Sequence, residues 1–212
     1  TPFRFYNVTV KDNIEGSYLG CISHLGITGI EFTFENCQWI NNKGNDKFGG
    51  GSGLWLSNNR VQCTFVFDNC RFENNYNNKA GGAFQCGYTR SVSNTNLRFT
   101  HCIFNDNHGK LKGGALSLET NKPWSIDHCE FNNNNATTGG AIFVYRDEDN
   151  LHAERGSITN CVFNSNTASS GKGTIMYIND TIMTEITLDG SNTVTNKGEV
   201  GSAIYSECRN LI

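Results

Sequence analysis

Positive charge is not in overall excess in this sequence. The 212 residues hold 17 lysines and arginines against 20 aspartates and glutamates. The formal net charge of −3 leaves no basic footprint for nucleic acid. Charged residues of both signs reach only 17%, yet the composition is not that of a disordered chain, because aromatic and aliphatic residues recur at regular places. No apolar run approaches the roughly 18 residues a membrane helix needs. Proline is confined to Pro2 and Pro123. No segment sustains a 3.6-residue periodicity, which excludes a helical repeat, and the L-x-x-L-x-L signature of leucine-rich repeats is missing. The nine cysteines lack the C-x-x-C spacing of a zinc site, and their odd number leaves one unpaired in any disulfide scheme. No signal peptide opens the chain, which starts on strand-like Phe3-Arg4-Phe5. A single domain over residues 1–212 is expected, as a processed product or a fragment of a longer surface protein.

What the sequence does have is a repeat. Asn69-Cys70-Arg71-Phe72-Glu73-Asn74-Asn75 and, a little later, Gly81-Gly82-Ala83-Phe84 define a pattern of about 30 residues, a period that signals a solenoid or array. The closing asparagine recurs as Asn13, Asn42, Asn75, Asn107, Asn134, Asn166 and Asn196. The small residue of the glycine element recurs as Cys21, Gly53, Ala83, Ala115, Ala141, Thr174 and Ala203. Apolar residues three and five positions before the cysteine, such as Phe65/Phe67 and Leu97/Phe99, alternate as in a strand with one buried face. Two residues after the cysteine stands another apolar residue: Phe72, Phe104, Phe131, Phe163. Those two sets differ in parity, so the chain must bend between them. The residue at the bend is Asn7, Asn36, Asn69, His101, His128, Asn160 or Gly190, and Asn and Gly tolerate the left-handed backbone such a bend requires. Stacked asparagines there could hydrogen-bond along a ladder.

These features predict an all-β chain: a right-handed parallel β-helix, or solenoid, of about seven coils with three short strands each. Right-handedness follows the general hand of parallel crossovers. Cys37, Cys70, Cys102, Cys129 and Cys161 share one repeat position and read as a column of small buried hydrophobes. Cys63 and Cys208 fall outside the core columns and read as the more reactive thiols.

The paired elements G-G-A-[ILV] and F-x-x-N resemble the repeats of the chlamydial polymorphic outer membrane proteins and of protist surface proteins. Gly113-Gly114-Ala115-Leu116 and Gly139-Gly140-Ala141-Ile142 carry the first element, and Phe104 to Asn107 and Phe131 to Asn134 the second. The resemblance spans nearly the whole chain and implies a pectin-lyase-like, surface-exposed β-helix without catalytic residues. An extracellular or cell-surface protein for adhesion, coat or filament structure, or protein interaction is therefore expected. The alternatives are a polysaccharide-degrading enzyme and a carbohydrate-binding module.

Candidate sites follow from positions that should face solvent. The outward column of the third strand carries Trp55, Phe143, Met176 and Tyr205, which would form a partner-binding strip for a protein or a glycan. Glu35 and Asp68 would be neighbours on adjacent coils, the carboxyl pairing of a retaining glycosidase, or simply two solvated acids. His101 and His128 would be adjacent too, as a metal pair or as substitutes for asparagine at the bend. The acidic stretch Arg146-Asp147-Glu148-Asp149-Asn150 lacks the ligand spacing of a calcium loop. N-glycosylation sequons begin at Asn7, Asn135 and Asn179, with Asn135 expected in a loop and best placed to be modified. No catalytic residue, cofactor or metal set is expected. Unpaired strand edges at the ends suggest end-to-end self-association.

Overall fold

The structure is a computed structural model that describes residues 2–14, 29–44, 53–56, 62–87, 94–145, 155–179, 185–188, 192–195 and 201–207. Among them there is no helix, and every strand pairs in parallel with the equivalent strand one coil away. The chain is a parallel β-solenoid.

Three sheets run along it. The first stacks Phe3–Tyr6, Ile30–Glu35, Cys63–Asp68, Thr95–Thr100, Trp124–Asp127, Arg155–Thr159 and Glu185–Leu188. The second stacks Thr9–Lys11, Gln38–Ile40, Arg71–Glu73, Ile103–Asn105, Glu130–Asn132, Val162–Asn164 and Thr193–Thr195. The third has two rows, one before the glycine element (Lys43–Gly44, Tyr76–Asn77, His108–Lys112, Asn135–Thr138) and one after it (Leu54–Leu56, Phe84–Cys86, Leu116–Leu118, Ile142–Tyr145, and Ser202–Ser206 in the last coil). The long strand Thr167–Asn179 belongs to both rows and joins them. Each complete coil thus has four strand segments rather than three. All four are present in five consecutive coils, flanked by a first and a last coil represented in part. That is about five full turns where seven were expected.

Corners explain the coil. Asn7, Asn36, Asn69, His101, His128 and Asn160 all have φ between 50° and 56°, as the parity change requires. A second left-handed corner was not foreseen: Asp12, Asn41, Asn74, Asp106, Asn133 and Ser165, with φ between 52° and 57°. The first glycine of the G-G-A element makes the third. At Gly113, φ is 59° and a Cβ would lie 2.0 Å from the carbonyl oxygen of Leu116.

Inside, like stacks on like. Phe72, Phe104, Phe131 and Phe163 form one pile with ring centroids 5.0, 4.6 and 4.9 Å apart. Phe34, Phe67 and Phe99 form a second, at 5.0 and 4.8 Å. The piles meet edge to face, as at Phe99 and Phe104, which are 5.8 Å apart with planes inclined by 68°. This is the favoured arrangement for ring quadrupoles. Gly156 takes an inward slot that is apolar in other coils because the Trp124 indole of the preceding coil fills it; a Cβ there would be 2.2 Å from that ring.

Between the second and third sheets the closing asparagines are buried. Asn42, Asn75, Asn107, Asn134 and Asn166 are each no more than 1% exposed. Each side-chain amide from Asn42 to Asn134 donates to the Oδ1 of the next, at 3.0 Å at every step. Each also donates to a backbone carbonyl of the preceding coil, as Asn107 does to Phe72 at 3.0 Å. Each Oδ1 in turn accepts the backbone N–H of the asparagine before it, as Asn107 does from Asn75 at 3.1 Å. Burial of these polar groups costs little because every bond is made. The continuous ladder is therefore this interior column rather than the bend column.

The five repeat cysteines are buried and unpaired, as expected. Burial raises the Cys102 thiol well above its usual range. Cys63 corrects the reading that placed it outside the core: it pairs with Ile30 and Thr95, is 1% exposed, and burial raises its thiol as well. Cys208 lies outside the described residues.

Candidate functional site

The expected partner strip is not an open surface. In the sixth coil the register differs from the sequence alignment by one residue: Met176 pairs with Ile142, and Tyr177 with Phe143. Gly173, with φ 66°, takes the place that Gly139 has in the preceding coil, where the sequence alignment put Lys172. Ile175 accordingly stands where the three preceding coils have Ala83, Ala115 and Ala141, in place of the expected Thr174. Met176 therefore points into the core and leaves the strip. The outward column runs Trp55, Gln85, Ser117, Phe143, Tyr177, Tyr205. All but Tyr205 are buried, and Tyr205 is half-buried. Phe143, Tyr177 and Tyr205 stack at 5.4 Å intervals. Lys112 lies 4.6 Å from the Phe143 ring centroid and Lys172 lies 4.8 Å from that of Tyr205. Trp55 donates its indole N–H to the Gly87 carbonyl at 3.3 Å.

That covered layer also holds polar groups. Ser117 Oγ and Glu119 Oε2 are buried without a hydrogen-bond partner among the described residues. Burial pushes the Glu119 carboxyl up to about 7, although Lys112 opposes the shift.

The outward face of the first sheet is different. Its groove of about 470 Å³ crosses four successive coils. Arg98, Ser125, Ser157 and Thr187 share one register across it, with Arg155 two residues before Ser157. The hydroxyl side chains are small, so the floor is low between two exposed guanidinium groups. Such a surface suits an extended, hydroxyl-bearing chain with negative charge, since arginine pairs with carboxylate and sulfate-like groups in two-pronged fashion. The signal was in the sequence as Arg98 and Arg155, but only the coil register brings them to one groove.

Glu35 and Asp68 are paired across adjacent coils as expected. Asp68 is also within 3.3 Å of His101 Nδ1. His128 Nδ1 is 2.9 Å from Asp127. Asn36 and Asn69 do form a ladder step, with the Asn69 amide donating to Asn36 Oδ1. Asn160 instead donates to Asp127 at 2.9 Å. Among the described residues, no group of three or more His, Cys, Asp or Glu side chains is arranged to hold a metal ion.

Of the sequon asparagines, Asn135 lies in the strand Asn135–Thr138 rather than a loop, half-buried, with its Oδ1 hydrogen-bonded to His108. Asn179 ends a strand and is half-buried, while Asn7 is exposed at its corner. The acidic stretch 146–150 lies outside the described residues. No helix of the described residues is long and apolar enough to cross a membrane.

No family model, curated protein or solved structure matches this chain.

Proposed function

We propose that the chain is a non-enzymatic recognition and scaffold protein of the extracellular space or cell surface, serving adhesion or coat structure, and that the outward face of its first sheet is the contact surface. The observation that carries this is the groove with Arg98 and Arg155 above a floor of Ser125, Ser157 and Thr187. Its ligand class is an acidic polysaccharide laid along the solenoid. The G-G-A-[ILV] and F-x-x-N motifs, which resemble those of polymorphic outer membrane proteins, support the same reading.

The test is binding to a panel of acidic and neutral polysaccharides. Acidic polymers should bind, and reversing both charges, Arg98→Glu with Arg155→Glu, should abolish binding with the melting temperature unchanged. Binding that ignores the double reversal would refute the groove. Release of new reducing or unsaturated ends from a polymer would instead establish a polysaccharide-degrading enzyme.

A second contact mode rests on the last described coil. Leu188, Val194 and Ile204 stand in columns that are interior in earlier coils, yet are 44%, 50% and 40% exposed. This apolar face supports end-to-end self-association. Sedimentation that stays monomeric at high concentration would count against it.

A further inference from the structure

The corner between the first and second sheets needs a residue that accepts a left-handed backbone, and asparagine supplies it in coils one, two, three and six. In coils four and five the residue is histidine, which the corner does not require. His101 and His128 lie on adjacent coils with ring centroids 5.3 Å apart and planes inclined by 38°. More than half of each side chain is exposed.

Each imidazole has a carboxylate at the same nitrogen. Asp68 Oδ1 is 3.3 Å from His101 Nδ1, and Asp127 Oδ2 is 2.9 Å from His128 Nδ1. Asp127 is itself fixed, accepting from Thr159 Oγ1 at 2.6 Å and from Asn160 Nδ2 at 2.9 Å. A carboxylate at Nδ1 holds the proton there and leaves Nε2 with a free lone pair. This is the outer-shell pairing that orients metal-bound histidines.

We propose that His101 and His128 bind one late first-row divalent cation, of the Zn²⁺, Cu²⁺ or Ni²⁺ class, through their two Nε2 atoms. Imidazole nitrogen favours these metals over Ca²⁺ or Mg²⁺, which take oxygen ligands. Metal–nitrogen bonds of about 2.0–2.1 Å require the two Nε2 atoms to come together, which rotation of exposed rings one strand spacing apart allows. Water completes the coordination, so the site binds less tightly than a four-ligand structural zinc centre. Asp68 and Asp127 act as positioning residues.

Calorimetric titration with Zn²⁺ alone, and separately with Cu²⁺, tests this on the intact protein. One saturable ion per chain is expected. His101→Asn and His128→Asn each place at the corner the residue that other coils use, so the fold should hold, and each should remove the binding. Asp127→Asn should weaken it about 10–100-fold. In nitrogen-15 spectra both Nε2 resonances should shift together as Zn²⁺ is added. Absence of saturable binding, or binding that survives His128→Asn, would overturn the proposal.

Discussion

Glu119 is an acid in a place that favours its neutral form. Its folded-state pKa, about 7, lies above its unfolded value, 4.5. The native state therefore holds a proton that the unfolded chain releases. The stability this proton confers is complete below about 4.5 and is lost as pH rises through 7. Glu119→Gln should remove that loss and stabilise the protein at pH 8 by on the order of 2–3 kcal/mol, read from denaturant midpoints. The cysteines give a second test at this scale. Cys63 and Cys102 are buried, and burial raises both thiols. They should react with a thiol reagent only at the rate of unfolding. Rapid native-state labelling of Cys63 would contradict its placement. Corner residues should be sorted by backbone alone: His101→Asn should be neutral, while His101→Ala should cost about 1 kcal/mol in the left-handed region.

At the scale of the element, the two kinds of interior column make different demands. Phe104→Ala removes a ring from the middle of a stack and should cost about 3–5 kcal/mol. Asn107→Ala removes a donor and an acceptor at once and strands the Phe72 carbonyl and the Asn75 N–H. It should cost at least about 2 kcal/mol despite the small volume lost. Urea unfolding of both variants would rank them. The phenylalanine and cysteine columns were readable from sequence because stacking repeats the same residue type every coil. Asn74 before Asn75 was not read as a corner, since two adjacent asparagines look alike and only φ separates them. The sixth coil was misaligned because Lys172-Gly173-Thr174 fits a glycine–small pattern in two frames. Its extra residues before Gly173, where the pairing shifts between Ala168 and Lys172, were invisible locally. The outward column misled for a different reason. Period-2 alternation says which side of a strand a residue takes, whereas Phe143 and Gln85 are buried on their outward side.

For the whole molecule, each coil contacts chiefly its neighbours, so stability is a sum along the axis. Amides of Phe99, Phe104 and Phe131, with filled coils on both sides, should exchange hydrogen most slowly. Those of the first and last described coils should exchange fastest. Uniform protection along the array would argue for one indivisible unit. The axis is also not symmetric end to end. Each step of the asparagine ladder, from Asn13 to Asn42 and onward to Asn166, sends one amide N–H toward the later coil and its C=O toward the earlier one, while from Asn42 on the second N–H turns back to a backbone carbonyl of the preceding coil. Side-chain dipoles aligned this way add as peptide dipoles do in a helix. The solenoid is thus an electrically directional rod, fractionally positive toward its last coil and negative toward its first. Two such rods attract when they point the same way along a common axis and repel when they meet with like poles.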